Sequence, residues 1–466
     1  MKKLSCAFIL LLVFTAAFSQ EQKLKTIISD EGIQGIQLVY AKKGKITNYN
    51  IGTVSKGSDK KVTSNTIFEA ASLSKSVFAY EVLRLYDRGI IKLDTPLLNY
   101  MGGKYERFDP QDTRYAKITA RMVLRHTTGL PNWGDEKGAK LLFMPDSCFS
   151  YSGEGYVFLQ RVVEKLTNKP LDKLMQEEVF TPLNMTASSY TWEDKFDTVA
   201  AFGNSPEAIK RHKNANAAYS LLTNAHDYTV FLQALIAGRG LKPATRQMMF
   251  EKSSEGNWFG HTVMEANQHI NWGLGVGLQQ NELGNSIWHW GDNGDFKGFC
   301  IAFPGRQEIL VYFTYNRYGL NVTPDILNVF FGKQTWWQAQ WLEYGFKADK
   351  EVKALRKELE KKGYNKAMEI VQKEKQKNPA YQIPENDLNE FGFMLMNSDR
   401  KKDAAEIFKL NVSLYPNSAN VYDSLAEAYE ALGEKELAIK NFKQSVALNP
   451  KNEYAAEHIK KLELSQ

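Results

Sequence analysis

The sequence contains few of the residues that build disulfide frameworks or metal sites. It has three cysteines and seven histidines in 466 residues, and the histidines are scattered, without H-x-H or H-E-x-x-H spacing. Outside the N-terminal segment the cysteines are Cys148 and Cys300, which could pair in an oxidising compartment but are too few for a framework. A disulfide-rich scaffold is therefore excluded, and we expect neither a metal nor another cofactor.

The sequence also lacks a large excess of charge of one sign. Lysine and arginine number 59 and aspartate and glutamate 53, so the formal net charge is only +6, and the bases are interleaved with acids. Proteins that bind nucleic acid usually gather their bases in a patch or block, so nucleic acid is not an expected partner. With 43% hydrophobic and 24% charged residues, the composition is that of a soluble globular chain with two or three domains.

The N-terminus carries an apolar run from Ala7 to Phe18, which follows two lysines and leads into the small-x-small sequence AFS ending at Ser19. This order predicts a secretory signal peptide over residues 1–19, cleaved near Ser19 or Gln20. The alternative, an uncleaved membrane anchor, is disfavoured because the run is shorter than the ~20 residues that span a bilayer. We therefore expect a secreted protein of the bacterial periplasm, with no membrane span after cleavage.

Residues 22–346 mix strand and helix patterns without regular βαβ alternation. Residues 35–54 predict a hairpin and residues 287–316 predict further antiparallel strands, because turns rich in glycine separate runs of β-branched and aromatic residues. Helical patterns lie between them, for example at 156–169 and 227–240. This order predicts an α+β fold, in which the two terminal segments share one antiparallel sheet flanked by helices.

Residues 347–466 form a different region, rich in lysine and glutamate, with helical patterns that repeat every 34 residues. One copy has Tyr422, Leu425, Ala426, Tyr429, Gly433, Ala438, Phe442 and Pro450, where the copy before it has Leu388, Phe391, Gly392, Leu395, Asp399, Ala404, Phe408 and Pro416. The pattern resembles the tetratricopeptide repeat, which implies an all-α domain of stacked helix pairs that could bind a protein partner. A degenerate third copy with Ala367, Val371 and Pro379 precedes these two, and residues 453–464 are expected to form a capping helix. Packing alone explains the motif, and none of its residues is chemically reactive.

The tetrapeptide S-x-x-K occurs three times, beginning at Ser58, Ser72 and Ser398. The first lies in a polar turn and the third between two repeat helices, whereas Ser72 follows the strand-like IFEAA and opens a helix that is apolar around much of its circumference. On that helix Lys75 lies on the same face as Ser72, where a desolvated amine can act as a base, and the helix start offers N–H groups to an oxyanion. The alternative is a capping serine beside a solvated lysine.

Four segments around this motif follow one another in a fixed order: TIFEAASLSKSVFAYEVLRLYDRGIIKLDTPLLNYM, ITARMVLRHTTGLPNW, FSYSGEGYVFLQRVVEKLTNKPL and IWHWGDNGDFKGFCIAFP. Over residues 35–318 they resemble the class C β-lactamase-related family of the serine β-lactamase and penicillin-binding-protein group. The resemblance implies that Ser72 is the acylated nucleophile, that Lys75 is its proton partner, and that Tyr151 shuttles a proton between nucleophile and leaving group. It also implies an oxyanion hole made by the backbone N–H groups of Ser72 and Asp292.

Two positions that the resemblance places beside the substrate depart from the family pattern. Gly153 stands where the family often has the asparagine of Y-x-N, and the strand element His289-Trp290-Gly291 has histidine where K-T-G has lysine. The first change removes an amide partner, and the second replaces a permanent cation with a group that is mostly neutral near pH 7. We therefore expect activated esters or small D-amino-acid derivatives to react better than β-lactams, and carboxylate-bearing substrates to be favoured below the pKa of His289.

Other candidates are expected to be structural. His126 lies in the turn-forming block RHTTGLPNW, where an imidazole can stabilise the loop by hydrogen bonds. Trp336, Trp337 and Trp341 are expected to seal the join to the repeats rather than to bind a ligand.

Taken together, these patterns predict a secreted serine hydrolase that acts through an acyl-enzyme on an ester, a D-amino-acid peptide or a related amide. One alternative is a catalytically weak penicillin-binding-like module that mainly serves protein association through the repeats, and a second is a true β-lactamase. The joint presence of Ser72, Lys75 and Tyr151 favours an active enzyme, because an inactive copy would be free to lose them.

Overall fold

The computed structural model describes residues 18–203, 209–260, 264–342, 350–397 and 400–464. The chain divides into two compact units, one of Met1–Ile28 with Ile33–Tyr344 and the other of Ser29–Gly32 with Gly345–Gln466.

Two sequence predictions fall mostly or wholly outside the described residues. The predicted signal peptide covers residues 1–19, of which only the last two are described, and the predicted boundary after residue 346 lies in the segment 343–349. Within the described ranges, no helix is long and apolar enough to cross a membrane.

The first unit is built on an eight-stranded antiparallel sheet in the order β2-β1-β10-β9-β8-β7-β6-β5, with a separate two-stranded sheet β3-β4. The strands are β1 (Gly35–Lys42), β2 (Lys45–Gly52), β3 (Phe68–Glu69), β4 (Leu222–Thr223), β5 (Ser254–Glu255), β6 (Ile270–Trp272), β7 (Gly277–Asn281), β8 (Gly284–Asn293), β9 (Phe296–Phe303) and β10 (Glu308–Tyr315). β1 pairs with β10, with Ile36 opposite Thr314, so the two ends of the unit share one sheet, as predicted. The predicted hairpin is also present, and its turn residues Lys43 and Gly44 both have positive φ, as a type I′ turn requires.

Helices lie on both faces of this sheet, and the described residues of the first unit form eleven α-helices. They are α1 (18–30), α2 (Ser74–Asp87), α3 (Leu97–Met101), α4 (Ala120–Leu124), α5 (Gly153–Thr167), α6 (Leu171–Met175), α7 (Thr181–Leu183), α8 (Ala225–Ile236), α9 (Pro243–Phe250), α10 (Thr323–Phe331) and α11 (Trp337–Trp341). Side chains alternate along β1, so Val39 contributes to one core with α2, α5 and α8, while Leu38 contributes to the other with α1 and α10. The site described below lies where α2 and α5 meet the end of β8.

In the part of the second unit that the structure describes, all regular structure is helical. Its helices are α12 (Lys350–Lys362), α13 (Ala367–Lys377), α14 (Glu385–Asn397), α15 (Lys401–Leu414), α16 (Ala419–Leu432), α17 (Lys435–Leu448) and α18 (Glu453–Leu464). The pair α14 and α15 recurs as α16 and α17 at the predicted period, which is consistent with repeats. Gly392 is the small residue that lets the helices of the first pair approach, since a Cβ there would lie 2.3 Å from the ring of Phe408.

The packing of the first unit also shows the surroundings of the two cysteines and of the three tryptophans near its end. Cys148 and Cys300 are both free thiols, so they do not pair. Trp336 and Trp341 are buried in the sheet core of the first unit, and Trp337 stacks on His269 with ring centroids 3.8 Å apart. The rings of Trp336 and Trp341 thus belong to the core of the first unit and Trp337 packs against it, while the expectation that they seal the join to the repeats stays a prediction.

Candidate active site

Ser72 lies on a tight turn between β3 and the buried helix α2. Ala71–Leu73 form one turn of 3₁₀ helix and α2 begins at Ser74, which corrects the expectation that the serine opens the α-helix itself. The serine does not cap α2 either, because the N-cap is Leu73 and no side-chain hydrogen bond is made there. Ala71 has a φ of +49°, a left-handed conformation that costs a non-glycine residue roughly 1–2 kcal/mol. This turn presents a partly exposed Ser72 hydroxyl beside an otherwise buried helix.

The Lys75 side chain lies along the same helix and faces the Ser72 hydroxyl. It is fully buried, and its Nζ donates to Ser72 Oγ at 3.0 Å and to the Ala218 carbonyl at 2.8 Å. The amine also lies 4.8 Å from the ring centroid of Tyr151. Burial lowers the pKa of Lys75 to about 7, because a charged amine is poorly solvated away from water. A large fraction of this amine is therefore neutral at pH 7 and able to accept a proton.

Tyr151 is the second buried group beside the serine. Its ring packs against His126 and Trp290, with centroids 4.3 Å and 4.7 Å away. Among the described residues the hydroxyl has no hydrogen-bond partner of normal length and angle, although the Ser72 hydroxyl lies near enough to lower the pKa of the phenol. Burial outweighs that effect and raises the pKa of Tyr151 well above its ordinary value. The side chain is thus a neutral phenol.

His289 is buried on β8, with its ring centroid 6.1 Å from that of Tyr151. Its Nδ1 lies 2.8 Å from the Trp290 carbonyl and donates to it, so Nε2 is an acceptor, and it has no hydrogen-bond partner among the described residues. Burial, with a smaller effect of the nearby Lys75, lowers the pKa of His289 to about 3. The ring is therefore neutral near pH 7, and the imidazolium on which the expected preference for carboxylate-bearing substrates depends would form only at strongly acid pH.

His126 is a second buried imidazole, and it joins two segments of the site. Its Nδ1 accepts from the Ser152 backbone N–H at 3.0 Å, which places the ring proton on Nε2. This bond links the loop to the segment that carries Tyr151, in keeping with the structural role expected of His126. Burial and the charge of Lys75 lower the pKa of His126 well below its ordinary value, so this ring is neutral as well.

The end of β8 runs beside the Ser72 turn because Gly291 has no side chain. A Cβ at Gly291 would lie 2.3 Å from the Ala70 carbonyl oxygen. β7 pairs with β8 only as far as Trp288, whereas β9 continues alongside β8 to its end. The segment that contains Asp292 therefore lies next to the Ser72 turn.

A buried carboxylate fastens the end of β8 to the strand that precedes Ser72. Glu69 accepts from the side-chain amide of Asn293 at 2.7 Å and from the backbone N–H of Lys210. Asn293 is the last residue of β8, and its amide also donates to the Tyr219 carbonyl at 3.4 Å.

The space beside Gly153 is filled by an indole ring. A Cβ at Gly153 would lie 2.6–2.9 Å from three ring carbons of Trp133. The backbone N–H of Gly153 donates to Asn132 Oδ1 at 3.0 Å, which fastens this loop to the start of α5. Trp133 is 48% exposed, and its ring meets that of Tyr219 edge to face at 5.6 Å. Where the family pattern has an amide side chain, this protein presents aromatic surface.

The sequence predicts that Ser72, Lys75 and Tyr151 lie together, and the structure places them side by side. The sequence does not predict several residues that contact them. Ala218 binds Lys75 through its backbone carbonyl. Every residue type has such a carbonyl, so the sequence cannot predict this contact. Trp133 lies in one of the segments that carry the family resemblance. Its position beside the site could have been suspected because Gly153 has no side chain and a large aromatic residue stands in the loop before it.

Comparison with known proteins identifies the family. A family model described as Beta-lactamase matches residues 15–328, and the chain belongs to that family. Penicillin-binding protein 4* of Bacillus subtilis (strain 168) is 22% identical over 313 residues, which cover 57% of this chain and 64% of the relative. Penicillin-binding protein 4 of Amycolatopsis lactamdurans is 26% identical over 185 residues, 36% of this chain and 48% of the relative. The chain thus spans between about half and two thirds of the length of these curated relatives.

Solved structures confirm the predicted fold. The β-lactamase/D-alanine carboxypeptidase of Pseudomonas syringae is 18% identical with a TM-score of 0.56, covering 71% of this chain and 99% of that chain. The β-lactamase/D-alanine carboxypeptidase of Yersinia pestis complexed with citrate is 19% identical with a TM-score of 0.54, covering 64% and 93%. Both the family resemblance and the α+β architecture inferred from the sequence are confirmed.

Proposed function

We propose that this protein is a secreted serine hydrolase that forms an acyl-enzyme on Ser72. The observation that carries the proposal is the 3.0 Å contact between the fully buried Lys75 amine and the Ser72 hydroxyl. A serine hydroxyl becomes an effective nucleophile when a base takes its proton, and a buried amine with a pKa of about 7 can do so at neutral pH.

Acylation begins when neutral Lys75 accepts the hydroxyl proton as Ser72 Oγ attacks the substrate carbonyl. The hydrogen bond to the Ala218 carbonyl holds the amine in place, so its lone pair can face Oγ. The oxyanion of the tetrahedral intermediate accepts from the backbone N–H groups of Ser72 and Asp292, which are preorganised dipoles directed at developing charge.

Tyr151 supplies the proton that the leaving group needs. Because burial keeps the phenol protonated, it acts first as an acid: its O–H donates to the leaving nitrogen or oxygen as that bond breaks. The proton that Lys75 took from Ser72 then restores the phenol. In deacylation, neutral Lys75 accepts a proton from the attacking water and returns it to Ser72 Oγ as the acyl bond breaks.

The substrate is a small ester, a D-amino-acid peptide or a related amide, in preference to a β-lactam. The family and the D-alanine carboxypeptidases among the solved structures support peptide or ester chemistry. The neutral His289 supplies no cation for the carboxylate of a penicillin, and Trp133 occupies the place of an amide side chain at Gly153. Secretion to the periplasm and a protein partner for the repeats belong to the same proposal.

A panel assay tests this function. The ratio kcat/KM is measured for p-nitrophenyl acetate, a D-alanyl-D-alanine peptide and the β-lactam nitrocefin, together with the intact mass after treatment with a fluorophosphonate. We expect one covalent adduct and faster turnover of the ester or the peptide than of nitrocefin. Efficient nitrocefin hydrolysis would assign the protein as a β-lactamase, and the absence of both adduct and turnover would contradict the proposal.

A further inference from the structure

We infer that Lys297 is a positioning residue, which fixes Asp292 and through it one of the two backbone N–H groups that receive the oxyanion. This inference rests on the proposed function, in which the N–H groups of Ser72 and Asp292 bind that oxyanion. Lys297 lies on β9 directly opposite Asp292 on β8. Opposite residues of an antiparallel pair project their side chains from the same face of the sheet, so the amine can reach the carboxylate.

The backbone N–H of Asp292 points away from β9. β8 and β9 are joined by a two-residue turn that begins at Gly294, whose φ of +66° suits the first position of a type II′ turn. Such a turn closes on a hydrogen-bonded pair of residues. The next pair, Asp292 with Lys297, is therefore of the other kind, in which the N–H groups point outwards. Because β7 pairs with β8 only as far as Trp288, the Asp292 N–H is directed past the end of that strand.

The Lys297 amine restrains the direction of this N–H. It donates to Asp292 Oδ1 and, at 2.6 Å, to the Gly294 carbonyl. The same Oδ1 accepts from the backbone N–H of Gly294 at 3.1 Å. A change in the backbone angles of Asp292 would move its carboxylate away from both donors, so these contacts hold the residue in one conformation.

Lys297 is buried, whereas the other cation of the turn lies nearer the surface. Lys297 is 4% exposed, which is rare for a lysine, and its Cβ would lie 3.1 Å from a Cβ added at Gly319. Arg317 pairs with Asp295, the other acid of the turn, at 3.1 Å, and its side chain is 30% exposed. The two cations thus hold the same hairpin, but Lys297 contacts the residue that carries the proposed donor.

The test compares the removal of each cation. Lys297→Met should lower kcat for p-nitrophenyl acetate by roughly 10-fold or more, which is part of the ~10²- to 10³-fold cost of losing a whole oxyanion donor. KM should stay nearly unchanged, because the oxyanion exists only beyond the ground state. Lys297→Arg keeps a cation opposite Asp292 and should recover most of the loss. Arg317→Met is the matched control and should keep the wild-type kcat.

A boronic acid gives a readout that support of the hairpin alone would not move. When phenylboronic acid binds, its boron bonds to Ser72 Oγ, the O–H bond of the serine breaks and the proton passes to Lys75. The tetrahedral adduct places an oxygen where the oxyanion forms. The inhibition constant should therefore rise in Lys297→Met by about the factor by which kcat falls, and it should keep its wild-type value in Arg317→Met. Thermal unfolding checks that each variant is folded.

The outcomes separate this inference from the proposed function. If Lys297→Met keeps the wild-type kcat and inhibition constant, or changes them no more than Arg317→Met does, Lys297 only supports the hairpin, and the inference is refuted while the hydrolase stands. Should Lys297→Met not fold, Lys297→Gln, which is polar but uncharged, is judged by the same criteria. If the wild-type protein turns over no substrate and Ser72 takes no label, the proposed function fails and this inference fails with it.

Discussion

The side-chain amide of Asn293 donates to the Glu69 carboxylate at 2.7 Å and so joins the last residue of β8 to the strand that leads into the Ser72 turn. Glu69 is 1% exposed, so this acceptor has little access to water. Burial raises the pKa of Glu69, while the hydrogen bonds from Lys210 and Asn293 oppose that rise. The contact thus holds the end of β8 beside the strand that leads into the Ser72 turn.

Asn293→Ala is therefore expected to weaken both the fold and the reaction. Loss of a hydrogen bond to a charged, buried acceptor should lower the free energy of unfolding by about 1.5–3 kcal/mol. The loosened end of β8 should lower kcat more than it changes KM, because the oxyanion is held mainly in the transition state. Urea denaturation and steady-state kinetics measure the two effects, with Asn281→Ala at the end of β7 as control. An unchanged kcat in Asn293→Ala would show that this tie does not position the site.

Ser72→Ala should abolish covalent labelling by a fluorophosphonate, measured as intact mass. Ser58→Ala, which removes the serine of another S-x-x-K tetrapeptide, should leave the single adduct in place. A surviving adduct in Ser72→Ala would mean that a different serine is the nucleophile.

Tyr151→Phe should fold normally and lose at least ~10²-fold in kcat, the usual size of general acid–base catalysis. Tyr156→Phe is a closely matched control, because the Tyr156 hydroxyl is also buried without a hydrogen-bond partner in the part of the chain that the structure describes, and its ring centroid lies 5.7 Å from the Lys75 amine. Near-wild-type turnover in Tyr151→Phe would remove this residue from the proton path.

If Lys75 is the base, as proposed, the rate should rise with pH. Its pKa is lowered to about 7, so the amine is protonated and inactive below that value and neutral above it. We expect kcat/KM for a neutral ester to increase as pH rises through about 7 and then to level off. Since the pKa of His289 is lowered to about 3, the preference for a carboxylate-bearing ester over its neutral analogue should stay constant from about pH 5.5 to about 8.5. A preference that grows toward acid pH would show a titrating cation at the site.

Removal of the repeats should leave the chemistry intact. A chain that ends at residue 342, the last described residue of the first unit, should hydrolyse a small ester at nearly the full-length rate, because Ser72, Lys75 and Tyr151 all lie within that unit. The same truncation should lose any partner recovered with the full-length protein. A truncated protein that folds but is inactive would show that catalysis is not confined to the first unit.

The sequence is most informative where neighbours in the chain are neighbours in space. The β1–β2 hairpin, the strands β8 to β10 and the spacing of Ser72 and Lys75 all follow from short-range patterns and turn residues. The charge state of His289 could not be predicted in this way, because its burial comes from elements far along the chain. The contact of Trp133 with Gly153 likewise depends on how a loop folds back on α5, and no local pattern encodes it.

The pairing of β1 with β10 sets the order in which the protein can become active. These strands lie near opposite ends of the first unit, so their pairing must close almost the whole unit as one loop, and such distant contacts form late. A chain emerging from the ribosome or from an export channel already carries Ser72 and Lys75 while β8 and β10 are still missing. Until β10 pairs with β1 and β9, the central sheet is incomplete, and β8 lies in an unfinished sheet. Ser72 is therefore synthesised early but gains its complete surroundings only when the last strand docks.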